Sequence, residues 1–128
     1  MDNDVVAFGT KSRKRAAAAR AVRRYPARIA RQLALAHALR HRVDAGEFDD
    51  YADMARSLGF TGARVTQIMD LLLLAADIQE EILFLEVAPG AQPISERALR
   101  DGVLKSLDWL EQRRRWAELR GGWSTAST

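Results

Sequence analysis

The chain has no cysteine among its 128 residues. That excludes a disulfide framework and thiolate metal sites, and it fits a reducing compartment. Long apolar runs are missing too. The longest, Leu71 to Ala76, is six residues, far short of the roughly 18 that a membrane-spanning helix needs. The amino terminus opens on acidic and polar residues without an apolar segment, so no secretory signal and a cytoplasmic setting are expected. No segment alternates apolar and polar residues as a strand does, and no repeat recurs at solenoid spacing. A phosphate-cradling glycine loop, a nucleophile–base pair and a carboxylate dyad are all missing from the sequence. The expectation is therefore a protein without catalytic residues or cofactor.

What is present is the composition of a single soluble domain, 48% hydrophobic and 29% charged. Its charge is lopsided. Residues 1–43 carry eleven Lys/Arg against Asp2 and Asp4, whereas residues 44–128 carry nine against fifteen Asp/Glu. A basic segment of this kind is either a solvated tail or an electrostatic foot on nucleic acid, where clustered cations release condensed counterions. Composition alone leaves both open.

Apolar spacing predicts an all-α fold, with a basic arm over residues 1–25, a helical domain over 26–122 and a disordered tail over 123–128. Within the arm, the alanine-rich stretch Ala16 to Arg24 has helix propensity but no apolar stripe. Pro26 suits a first helical turn and Gly46 a position just past the end. Between them Ile29, Leu33, Ala36, Leu39 and Val43 form one face. Asp50 caps a short helix with Ala52, Ala55 and Leu58 on its buried side, and Gly59 stops it. Thr61 caps the next, through Val65, Ile68 and Leu72. Asp77 starts another, with Ile78, Ile82 and Leu85 on one face. Residues 87–93 read as a loop. Ser95 and Ser106 cap two further helices, the last ending at Gly121-Gly122.

The segment Tyr51 to Asp70 meets the steric demands of a helix-turn-helix. Ala55 is small where the two helices must cross, and Gly59 suits a sharp turn with positive φ. Val65 and Ile68 face back toward Met54 and Leu58. Thr61, Gly62, Ala63, Arg64, Thr66, Gln67 and Asp70 are left outside, small or polar, as a helix entering a major groove requires. Two ordinary packed helices are the plainer alternative, but capping, spacing and outer-face polarity all favour DNA.

From Tyr51 to Ile82 the chain also resembles, without a gap, the central DNA-binding domain of the ParB/KorB partition and repressor proteins. Leu71-Leu-Leu-Leu74 and Ile78-Gln79-Glu80-Glu81-Ile82 match the leucine-rich stretch and the following Ile-Gln-Glu helix of that family. Ile94 to Leu99 resembles its next helix. The likeness covers about fifty residues. Thr61-Gly62 replaces the family's usual Ser-Arg, and Asp70 replaces a frequent Arg. The resemblance is to that central module, so it implies DNA binding and not CTP hydrolysis.

The expected function is sequence-specific binding of double-stranded DNA, by a regulator or accessory factor of a plasmid, phage or mobile element. Thr61, Ala63, Arg64, Thr66 and Gln67 are the expected base readers, Arg64 suiting guanine and Gln67 adenine. Lys11, Arg13, Lys14, Arg15, Tyr51 and Arg56 are expected on the DNA backbone. The competing class is a protein-interaction adaptor. An RNA module fits less well, because the sequence offers no stacking platform of aromatics.

Other features have structural readings. His37 and His41 share the i, i+4 spacing of a metal pair but have no third ligand, so no metal is expected. Trp109 and Trp116, with Leu110, Ala117 and Leu119, either cover the underside of the core or form a homodimer interface. Arg113-Arg114-Arg115 suits a solvated face or a second phosphate contact equally.

Overall fold

The computed structural model describes residues 24–92 and 94–127, with side chains as far as Gly121. The expected contacts of Lys11, Arg13, Lys14 and Arg15, and the stretch from Ala16 to Arg23, lie outside the described residues. Helix accounts for 69% of the chain, and the fold is all-α. The helices are α1 (Arg28–Asp44), α2 (Tyr51–Leu58), α3 (Gly62–Asp70), α4 (Ala76–Leu83), α5 (Glu96–Asp101) and α6 (Trp109–Ser127). Single 3₁₀ turns follow α3 at Leu71–Leu73 and α5 at Val103–Lys105.

The stripe on α1 divides between two cores. Ile29, Ala30 and Leu33 join Leu71, Leu74, Ile78, Ile82, Leu99, Val103 and Trp116 in the larger one. Ala36 and Leu39 join Phe48, Met54, Ala55, Val65, Ile68 and Met69 in the smaller. The second cluster holds α2 and α3 against the carboxy-terminal half of α1. Ala52, expected on the buried side of α2, is exposed, and Met54 takes that place.

Helix ends follow local chemistry closely. The Asp50 carboxylate accepts from the Asp53 amide at 2.8 Å, and Asp53 returns the favour by accepting from the Asp49 amide at 3.0 Å. Thr61 Oγ1 accepts from the Arg64 amide at 3.0 Å, and Ser95 Oγ accepts from the Ala98 amide at 3.0 Å. At the end of α2, Gly59 has φ of 73° and the Ala55 carbonyl accepts from the Phe60 amide at 2.9 Å. A left-handed residue is what lets the chain reverse there.

Four expectations change. Pro26 does not open α1. Tyr25–Pro26 instead pairs antiparallel with Glu86–Val87, and the Ala27 amide continues the pairing onto the Leu85 carbonyl at 3.0 Å. This two-residue ladder cuts into both the expected arm and the expected loop. The last helix starts at Trp109, because Asp108 caps it: its Oδ1 accepts from the Leu110 amide at 3.1 Å, while Ser106 accepts from Asp108. That helix also crosses Gly121-Gly122 and continues to Ser127, through most of the expected tail. Glycine costs a helix about 1 kcal/mol without forbidding it, and Gly121 has no positive φ. Finally, Leu110 is 73% exposed rather than part of the core, and Ala117 is exposed too.

Gln112, which no sequence pattern marks, is the one buried polar residue among those described. It is 0% exposed and its amide is fully used. Oε1 accepts from the Ala75 amide at 2.7 Å, and Nε2 donates to the carbonyls of Leu73 at 3.1 Å and Ser106 at 2.9 Å. One side chain thus fastens α6 to the junction between α3 and α4. Gln112→Leu leaves three backbone groups without that partner, at about 1 kcal/mol or more each. We expect a loss of at least about 3 kcal/mol and a melting temperature lower by roughly 10 °C. Gly59→Val should cost about 2 kcal/mol through backbone strain alone, since no atom lies within 4 Å of its added Cβ. Denaturant melts of both variants check these values.

Candidate nucleic-acid interface

The outer side of α3 begins at its capping residue and is set by what the inner side must bury. Val65, Ile68 and Met69 are committed to the smaller core. Thr61, Gly62, Ala63 and Thr66 are therefore turned out and exposed, while Arg64, Gln67 and Asp70 are half-buried at its edges. The small residues leave this turn of helix thin enough to approach another surface closely. Thr61 spends its oxygen on the helix cap.

Arg64 departs from its expected role as a free base reader. Its Nη1 donates to Glu96 Oε2 at 2.6 Å and to Gln67 Oε1 at 3.3 Å, and its Nη2 donates to Gln32 Oε1 at 2.8 Å. One guanidinium therefore joins α3 to α1 and α5. The Glu96 side chain is 12% exposed, against 35% for Arg64. Arg100 is the other cation near that carboxylate, with Nε 3.5 Å from Oε2, too poorly aligned for a hydrogen bond. Glu96 Oε1 has no hydrogen-bond partner.

Magnitudes decide what Arg64 does. Removing one member of a buried pair costs about 3–5 kcal/mol, and half-exposure of the arginine reduces that to about 2–3. The bond to Gln32 adds about 1. A good bidentate base contact is worth about 1–3 kcal/mol. In the free chain Arg64 is thus engaged in holding α3 against α1 and α5. Gln67 keeps its amide nitrogen free among the described residues while its oxygen accepts from Arg64.

Of the expected backbone residues, Tyr51 and Arg56 are described, both on α2. Tyr51 is exposed at the start of α2, where its hydroxyl accepts from Arg40 Nη1 at 3.3 Å. Arg56 is exposed and only loosely paired with Asp53, 3.8 Å away. The triple arginine of α6 is otherwise engaged. Arg113 pairs with Asp77 at 2.9 Å, and lies over the Trp109 ring at 5.9 Å. Arg114 pairs with Glu111 and with Glu118, and Arg115 pairs with Glu111 at 3.0 Å. Hydrogen bonds from Arg114, and then Arg115, hold the Glu111 carboxyl down to about 2. All three cations are thus paired within the chain, as on a solvated face. His37 Nε2 donates to Gln79 Oε1 at 2.7 Å, which gives that histidine a partner of its own.

Trp116 is 5% exposed and its indole N–H donates to the Glu81 carboxylate. It belongs to the larger core, the first of the two readings given for it, and leaves little surface for a partner. Trp109 is half-exposed. No family model, curated protein or solved structure matches the chain.

Arg64→Met and Glu96→Met should each destabilise the domain by about 2–4 kcal/mol, and the double variant by less than the sum. Urea melts of the three variants measure the coupling. A wild-type midpoint for Arg64→Met would show the clasp to be worth nothing.

Proposed function

We propose that the chain binds double-stranded DNA in a sequence-specific manner, with α2 and α3 acting as a helix-turn-helix. The observation that carries this reading is the outer face of α3. Its turned-out residues, Thr61, Gly62, Ala63 and Thr66, are small or polar, and the helix is braced from behind by two packed helices and the Arg64 clasp. A reading helix needs both a slim polar front and a rigid back. The resemblance of Tyr51 to Ile82 to ParB/KorB-type domains supports the same assignment, for the DNA-binding module only. Thr66 and Gln67 are the base readers on this view, with Ala63 allowing close approach to a thymine methyl. Arg64 passes from reader to brace. A role as a regulator or accessory factor of a plasmid, phage or mobile element follows from the resemblance.

A protein partner is the second reading, favoured by one observation. Leu107, Trp109 and Leu110 are exposed apolar residues close together around the start of α6, at 67%, 47% and 73%. A homodimer through this surface, with Trp109 and not Trp116 in the contact, would let two recognition helices act together. Leu110→Glu is expected to convert the dimer to monomer in sedimentation runs without changing the melting temperature.

The DNA reading is tested by selecting a site from random duplexes and measuring affinity for it against scrambled duplex. Thr66→Ala and Gln67→Ala should each lose about 5- to 100-fold in discrimination while melting like the wild type. Equal binding of selected and scrambled duplex by the wild-type protein would refute the function.

A further inference from the structure

An open cleft of about 270 Å³ lies where α1, α3 and α5 converge, and Arg64 forms part of its wall. Around it stand Arg28 from α1, Gln92 from the preceding loop, and Glu96 and Arg97 from α5. Their states differ in a telling way. Glu96 is already claimed by Arg64 and Arg100, so the acid in the wall is neutralised by two cations. Arg28 has no partner for its guanidinium among the described residues. Arg97 reaches only Asp101, in an exposed i, i+4 pair with Nε and Oδ2 3.3 Å apart, worth a few tenths of a kcal/mol and readily exchanged. Gln92 is anchored through its oxygen, which accepts from the Arg28 amide at 2.9 Å. Its amide nitrogen is left as a donor.

We propose that this cleft seats one phosphate of the DNA backbone, gripped by Arg28 and Arg97 with the Gln92 amide as a neutral donor. The inference rests on the DNA reading of α3 and adds a contact that the sequence did not suggest. Guanidinium groups suit phosphate oxygens by charge and by fork geometry. The position suits it as well, for Arg64 lies on the first turn of α3, so the cleft opens beside that helix's amino-terminal end. A recognition helix presents that end to the base edges, and the sugar–phosphate strands border the groove on either side. A phosphate here fixes the register of α3 and carries no sequence information of its own.

The test is equilibrium binding of the full chain to its selected duplex, and to scrambled duplex, over a range of salt. Wild type is compared with Arg28→Ala/Arg97→Ala and with Arg28→Lys/Arg97→Lys. Each backbone phosphate neutralised contributes about 0.9 to the slope of log affinity against log salt. The alanine pair should lower that slope by about one and weaken both duplexes alike, leaving the discrimination ratio and melting temperature unchanged. The lysine pair should recover most of the slope. An unchanged slope in the alanine pair overturns the cleft assignment and leaves the DNA reading standing. Failure of the wild type to bind any duplex overturns both. A parallel melt with inorganic phosphate, at ionic strength matched with chloride, covers the remaining source. Stabilisation of wild type but not of the alanine pair, together with an unchanged slope, would mean a free phosphate is the ligand and would likewise overturn the proposal.

Discussion

One helix has to serve two cores, and everything else in the fold is arranged around that demand. Ile29, Ala30 and Leu33 face the cluster built with α4, α5 and α6, and Ala36 and Leu39 face the cluster built with α2 and α3. The two sets lie along one stripe of α1, so the pairs of elements on either side are brought into fixed relation without touching extensively themselves. Small residues at Ala30 and Ala36 let neighbouring backbones come close. The cost is that neither cluster is large. Polar ties therefore matter more here than they would in a deeper core.

Two such ties stand out, and they work at opposite ends of α3. Arg64 binds its first turn to α1 and α5 through Gln32 and Glu96. Gln112 binds the backbone after its last turn to α6 through Leu73 and Ala75. Both replace a flexible connection with directional bonds in a partly dehydrated setting, where such bonds resist exchange with water. A short helix of nine residues would hold its orientation poorly on apolar contacts alone.

Most of the helical layout was legible in the sequence, because spacing and caps are local. Asp50, Thr61 and Ser95 act as the caps they were expected to be, and Gly59 adopts the left-handed turn. Local signals misled where they competed with one another. Ser106 read as the cap that Asp108 provides, and two glycines read as a stop although the helix crosses them. The site was less legible than the fold. Thr61, Ala63 and Thr66 face outward as helical periodicity requires, but the fate of Arg64 depends on Glu96, thirty-two residues away. No local pattern announces such a pair. Gln112 was hidden for the same reason: its partners Leu73 and Ala75 are remote in sequence.

The Gln112 amide has a consequence for assembly. It joins the amino-terminal part of α6, where Leu107, Trp109 and Leu110 are exposed, to the peptide units that directly follow α3. In a two-fold dimer formed at that apolar surface, the separation of the two α3 helices would then be set inside each subunit, with little play. Paired recognition helices read half-sites about one turn of the duplex apart, roughly 34 Å. On the DNA reading proposed for α3, a buried amide would thereby fix the spacing of the two half-sites.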